Sequence, residues 1–465
     1  MYAFTFGPVL RQYFVVITVN LSILCAGLGL AWPSPVLVKL RNETETILPR
    51  PITEDEGAWI VSIGFLISIV AFAAAIFLVD RIGRKMCVII AYAPKLMSGF
   101  VFIFASQFWH LYVGRVLNST ADAIFFGVVP IYASEIASKE LRGSLGTMLQ
   151  IMCSIGIVTV YWVGPFISYI NLNIMYTCVI FFTFIPILFL PDSPYYLYTK
   201  GKTAEAQKIL MQLRELDTKV KEEIKDYDIQ KEASEVTISR LDLIKNRTFI
   251  KSFLLTTVFV ASSQLVGFNA VTYYLQTVFE STQTSISPEV SSVVVGLIQL
   301  IASFCTAAIT DRFGRKPIIL STLAGLTLGM VGLGIFFCIK DGGKEISGFL
   351  NFLPLLSLII IVFSYSAGFG SLLWPMMAEL FDGPTRGIGV PTVSAINSIF
   401  LFITTRYFPP LIATIGPATT YFIFSVNCVL TIVFIAFCIP ETKGKSFSEI
   451  QMALRGRSKK NGDVI

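Results

Sequence analysis

The chain has 465 residues, of which 54% are hydrophobic and only 14% charged. Soluble domains carry about a quarter charged residues, so this chain lacks the polar groups to cover a water-exposed surface of its size. That excludes a soluble enzyme or nucleic-acid-binding protein and implies a polytopic, all-α membrane protein. The net charge of +6 does not require nucleic acid, because the basic residues cluster between apolar runs and read as topology signals.

A membrane-crossing helix needs about 20 mostly apolar residues. The first such run, near 14–38, exceeds a signal-peptide core and reads as the first span rather than a cleaved leader. Further spans are predicted near 57–79, 87–106, 111–134, 146–168 and 170–190. A polar stretch follows, in which KTAEAQKILMQLRE places apolar residues at helical spacing among Lys and Glu, predicting short amphipathic helices. Spans then resume near 250–278, 287–310, 317–338, 352–378, 388–413 and 417–438, twelve in all. The predicted organisation is a six-helix bundle over 1–190, a cytoplasmic linker over 191–249, a second six-helix bundle over 250–439 and a cytoplasmic tail over 440–465.

Lys and Arg favour the cytoplasmic side of a membrane. Arg81, Arg84 and Lys85 follow the second span, Lys139 and Arg142 the fourth, and Arg312, Arg315 and Lys316 the eighth; the tail is basic too. Both termini are therefore expected in the cytoplasm, with Lys39, Arg41, Arg50, Lys340 and Lys344 as exceptions on the other side. Asn42-Glu-Thr44 falls in the first outer loop and is a candidate for glycosylation, whereas the sequons at Asn118 and Asn246 should be silent.

One charged hexad is written twice, as Asp80–Lys85 in FLVDRIGRKM and Asp311–Lys316 in AITDRFGRKP. Each copy lies between the second and third spans of a half, which marks a duplicated six-helix unit. Gly83 and Gly314 permit the tight reversal, and Asp80 and Asp311 should each pair with a nearby Arg. Glu135 and Arg142 are echoed by Glu379 and Arg386 at the same seven-residue spacing. With Arg84 and Arg315 they can form ion-pair clusters at the cytoplasmic helix ends, as gates or as static anchors.

Polar side chains inside spans are costly and need a reason. Gln150, Gln264, Asn269, Gln299 and Asn397 are amides within spans, and serve either a ligand or helix–helix adhesion. Lys95 in span 3 and Asp122 in span 4 lie at depths a lysine stem can bridge, so an intramembrane ion pair is expected; a titrating Asp122 is the competing reading. None of the eight cysteines forms a C-x-x-C pair, the single His110 makes no metal site, and no phosphate-binding loop or catalytic triad is visible.

Taken together, Gly114-Arg115, PIYASEIASKELRGSLGTMLQ (130–150), PDSPYYL (191–197), SQLVGFNAVTYYLQ (263–276), both hexads, WPMMAELFDGPTRG (374–387) and PETKGKSFSEI (440–450) resemble the sugar porter family of the major facilitator superfamily. The resemblance covers nearly the whole chain; short outer loops and Arg406 resemble the insect branch that contains the facilitated trehalose transporters. It implies a small-molecule sugar as substrate, the lipid bilayer as surroundings, no cofactor, no metal, no nucleic acid, no enzymatic activity and a monomer sufficient for function, with the oligomeric state open. It also implies the plasma membrane and a rocking mechanism in which the ion-pair clusters hold the outward-open state and break when the cytoplasmic side opens. By the same resemblance, Gln150, Gln264, Asn269, Gln299 and Asn397 contact the sugar hydroxyls and Trp374 covers a ring face. Departures from the family pattern are Ser263 for a second Gln, Ser398 where relatives carry Trp, Gly370-Ser-Leu-Leu373 for a Pro-rich break, and Tyr195 for Arg. Proton-driven members carry an Asp in span 1; this span has no acid, which implies facilitated diffusion of a hexose or a trehalose-like disaccharide. The alternatives are a proton-coupled symporter using Asp122, or a non-transporting sensor, against which the short tail argues.

Overall fold

The computed structural model describes residues 7–138, 141–235, 247–343, 346–381 and 383–442; among the residues named above, the side chains of Arg142, Asp311, Arg312 and Arg386 lie outside the described set, as do Lys139, Asn246, Lys344 and the tail from 443. Among the described residues, twelve helices are long and apolar enough to cross a membrane, each close to its predicted position. The first is α1 (Pro8–Ala31), which bends at Trp32 into α2 (Pro33–Arg41). Then come α3 (Glu54–Ile82), α4 (Arg84–Ile103), α5 (Phe108–Ile136), α6 (Arg142–Val163) and α7 (Tyr169–Ile187). The polar stretch forms α8 (Pro194–Thr199), α9 (Thr203–Arg214) and α10 (Asp217–Glu235), matching the amphipathic helices expected there.

In the second half, α11 (Arg247–Leu265), α12 (Phe268–Tyr273) and α13 (Leu275–Thr282) form one interrupted run. They precede α14 (Pro288–Phe313), α15 (Arg315–Asp341), α16 (Leu353–Ser364), α17 (Gly370–Glu379), α18 (Gly383–Ile415) and α19 (Pro417–Cys438). Helix starts follow local chemistry. Thr53 and Glu56 form a capping box on α3, which also opens with Glu54 and Asp55 against its positive dipole end. His110 accepts the backbone N–H groups of Ser106 and Gln107 through Nδ1 (3.2 and 3.1 Å) and closes the start of α5.

The duplication is visible in the packing. In the first half α1 packs on α6, and α4 on α5 and α7; at equivalent places in the second, α11 packs on α18, and α15 on α16 and α19. The bundles meet along α3 with α18 and α6 with α14, which are again equivalent helices exchanged between the halves. Close approach of α1 and α6 depends on Gly27 and Gly156, where an added Cβ would overlap the partner backbone at Cys153 and Leu24. The two hexad glycines adopt nearly the same conformation, φ 89° ψ 164° at Gly83 and φ 89° ψ 165° at Gly314, a region closed to other residues.

Those turns are also where the ends of the bundles are tied. Arg84 pairs with Glu135 at 2.9 Å and more loosely with Asp80 at 3.7 Å, and Ser193 donates to Glu135. Arg315 reaches Glu379 at 3.6 Å. Both pairs lie within a half, between the start of its third span and the end of its fourth. Glu441, quoted above only as part of a motif, accepts the backbone N–H groups of Arg315 and Lys316 (3.1 and 3.0 Å) and so caps α15. The linker helices dock on the same end: Arg11 and Gln12 donate to the carbonyls of Gln212 and Leu213, while Arg214 donates to that of Ile136 and pairs with Glu223.

Candidate substrate site

Two irregular helices shape the interior. The α11–α12 run breaks at Gly267, whose φ of 83° lets the chain kink between Gln264 and Asn269. A break at this depth frees backbone groups that must be satisfied by protein; Tyr161 of the other half donates to the Thr272 carbonyl at 2.9 Å. In the tenth span, residues Tyr365–Phe369 form a single π turn ahead of α17. The Pro-rich break absent from the sequence is thus replaced by a π turn with Pro375 one helical segment later.

Between the bundles lies a cavity of about 210 Å³. Gln150, Gln264, Asn269, Gln299, Trp374 and Asn397 all line it, from five different spans and both halves. Ser263 does not line it, whereas Ser398 does. The amides are preorganised: Asn269 donates to Gln264 Oε1 (2.6 Å) and Gln264 donates to Asn397 Oδ1 (2.7 Å). Gln264, Gln299 and Asn397 are buried, and Trp374 is 36% exposed and presents its indole at the cavity edge. Phe268 and Tyr365 stack at 3.7 Å beside them, so apolar faces and amide groups alternate around one space. Polar groups that fix orientation on a largely aromatic wall suit a small polyhydroxylated ligand.

The opposite wall holds residues that composition alone did not connect. Lys95 Nζ lies 2.5 Å from Asp122 Oδ1, as the ion-pair reading required. Asn118, in a sequon expected to be silent, accepts from Lys95 (2.7 Å) and Tyr176 (2.5 Å) and donates to Asp122 Oδ2 (2.9 Å). Arg115 of the Gly-Arg pair donates to the carbonyls of Gly29, Ile60 and Val61, tying three helices together. Arg115, Asn118 and Asp122 line the cavity; Lys95 is fully buried behind them. Among the described residues no cluster of His, Cys, Asp or Glu fits a metal ion, and all eight cysteines are free.

Contacts between the halves gather at mid-depth and at the end away from the termini. Ser154 meets Ser303 at 2.7 Å, Phe65 meets Tyr273 edge-on, and Ser34 accepts from the Gln276 backbone. Farther out, Arg406 of α18 pairs with Asp55 of α3 at 2.5 Å and lies 4.8 Å over the Trp59 ring, while Trp59 also meets Phe402. The far end is therefore sealed. Paired six-helix bundles, a polar chamber between them and a seal at one end define a membrane transporter of the major facilitator fold.

Comparison with known proteins agrees. A profile described as "Sugar (and other) transporter" matches residues 38–454. Facilitated trehalose transporter Tret1 of Polypedilum vanderplanki is 28% identical over 97% of this chain and 90% of its own length. The Tret1-2 homologue of Drosophila simulans is 29% identical over 98% and 92%. Among solved structures, the inward-open xylose transporter XylE from E. coli superposes with a TM-score of 0.78 at 19% identity, covering 95% of this chain and 99% of that one. The proton:xylose symporter XylE bound to 6-bromo-6-deoxy-D-glucose gives 0.77 at 21% identity, over 95% and 98%. The chain belongs to the sugar transporter family, and it is a transporter rather than an enzyme.

Proposed function

We propose that the protein is a facilitative carrier that moves a hexose or a trehalose-like disaccharide down its gradient by alternating access. The observation that carries this reading is the convergence of Gln150, Gln264, Asn269, Gln299, Trp374 and Asn397 on one inter-bundle cavity. The two trehalose-transporter relatives, matched over 90% and 92% of their lengths, support the disaccharide option. Span 1 contributes no acid to the site, which favours uniport. The deciding experiment is uptake of labelled glucose and trehalose by cells or vesicles containing the protein. Equilibrating flux, accelerated by unlabelled sugar on the far side and unaffected by a protonophore, is the expected result; absence of flux for both sugars would refute it.

A second reading, proton–sugar symport, is favoured by one feature: Asp122 lines the cavity. The same vesicles decide it. Under uniport, sugar addition produces no proton current and an imposed pH step produces no uphill accumulation. A sugar-evoked proton current that disappears in Asp122→Asn would establish symport instead.

The gating we infer uses both ends. The Arg406–Asp55 contact and the Phe65–Tyr273 and Tyr161–Thr272 contacts form the outer seal, while Arg84–Glu135 and Arg315–Glu379 brace the inner helix ends within each half. Orientation rests on the basic loops, and both termini are placed in the cytoplasm of a plasma-membrane protein. Asn42 sits on the exposed turn after α2, at the sealed end. Glycosidase treatment of protein from eukaryotic cells should therefore increase its gel mobility, and Asn42→Gln should abolish that shift. A shift that persists in the variant would contradict both the site and the topology.

A further inference from the structure

The amides that line the cavity, Gln150 of the first half included, are neutral; the first half adds a charged group. Asp122 is the carboxylate on that wall, on α5, with 10% of its side chain exposed and its surface directed into the cavity. Its partners are fixed from behind. Lys95 donates to Oδ1 and Asn118 to Oδ2, one donor for each oxygen. An ionised carboxylate offers about four acceptor directions, so two stay open on a group that lines the cavity.

Its neighbours cannot move to use them. Asn118 is committed on both its oxygen and its nitrogen, to Lys95 and Tyr176 on one side and Asp122 on the other. Arg115 is spent on three backbone carbonyls. Gly29 of α1 fixes the spacing: a Cβ there would stand 2.8 Å from Asn118 Oδ1 and 2.9 Å from Lys95 Nζ, so a larger residue would displace the network. Lys95 compensates the charge, so the carboxylate is held rigidly rather than left as an isolated ion in a membrane interior. A purely structural pair would need no face on the cavity. Here the cation is fully buried and the anion is the member turned toward the ligand space.

We propose that Asp122 is a specificity-determining residue that accepts a hydrogen bond from one hydroxyl of a bound polyol, gripping the sugar from the first half beside Gln150, opposite the amides of the second half. The inference rests on the sugar-carrier reading above and adds a substrate contact. A charge-assisted hydrogen bond is stronger than a neutral one, so one hydroxyl of the substrate becomes a strict requirement. Ligands lacking a donor there are discriminated against, because a buried acceptor would be left unpaired.

The test takes whichever of glucose and trehalose the uptake assay returns, with its monodeoxy derivatives, as competitors against wild type and Asp122→Asn. In wild type, loss of one particular hydroxyl should weaken competition ~10-fold or more. In the variant the parent sugar should bind less well, and that same deletion should cost at least about threefold less, while deletions elsewhere keep their wild-type penalties. If every derivative falls in parallel in both proteins, Asp122 touches no hydroxyl and the proposal is overturned. Should Asp122→Asn leave the buried Lys95 unpaired and fail to fold, the double variant Lys95→Met/Asp122→Asn removes both charges and serves for the same panel. If neither parent sugar is carried or bound, the functional reading itself fails, which is a distinct outcome from a parallel loss.

Discussion

Replacing Gln264 by alanine should raise the half-saturating sugar concentration by about 10- to 100-fold, with the maximal rate falling less. The residue is 2% exposed and central to the amide chain, donating to Asn397 at 2.7 Å and accepting from Asn269 at 2.6 Å. Alanine removes its own contact with a ligand hydroxyl, at about 1 kcal/mol for a neutral hydrogen bond. It also leaves Asn269 and Asn397 without the partner that orients them, and unpaired buried polar groups cost about 1–3 kcal/mol each. These losses overlap, because bound sugar can partly replace the missing amide, so a net ~1.4–2.8 kcal/mol is the reasonable range. Initial-rate uptake across a concentration series reads it directly. An unchanged half-saturation constant would mean that the amides hold helices together and do not touch substrate, in which case thermal stability would fall instead.

That site was legible in sequence only because amides stand out in apolar spans. Gln264 and Gln299 violate the local rule, and the chamber explains the violation. What the apolar residues do was not legible in the same way. Leu326 and Phe336 are fully buried, whereas Leu328 is 68% and Phe437 85% exposed, yet all four occupy equally greasy stretches. Lipid and protein core are both apolar, so periodicity inside a membrane span carries little information about which face meets which. Turn chemistry fared better. The paired hexads fixed two reversals because a positive φ demands glycine, and the structure repeats that conformation at both. Contacts distant in sequence could not be read: nothing local to Asn118 announces Lys95 and Tyr176. The π turn at Tyr365–Phe369, where Tyr365 stacks on Phe268 and Phe369 meets Phe259 edge-on, was likewise announced by no local motif.

The far-end seal offers a test of gating that is independent of sugar chemistry. Arg406 and Asp55 are 351 residues apart and belong to different halves, so their contact exists only while that end is closed. The Asp55 side chain is 64% exposed and that of Arg406 only 13%. An ion pair with one solvated partner contributes about 0–1 kcal/mol. Arg406 also covers the Trp59 ring at 4.8 Å, and a cation over an aromatic face adds about 0.5–2 kcal/mol, more as it is desolvated. The aromatic contact should therefore dominate. Asp55→Asn is expected to shift the balance toward the far-end-open state by no more than about fivefold, and Arg406→Met by more, about 2- to 150-fold for the sum of both terms. Modification rates of a single cysteine placed in the cavity wall, probed by an impermeant reagent added from the sealed side, report that population. The physical order is what matters: if Asp55→Asn opened the far end as much as Arg406→Met, the charge pair alone would be the latch and Trp59 a bystander. If neither variant changed accessibility, closure would rest on the apolar and backbone contacts between the halves, with Phe65, Tyr273, Tyr161 and Thr272 as the remaining holders of the seal.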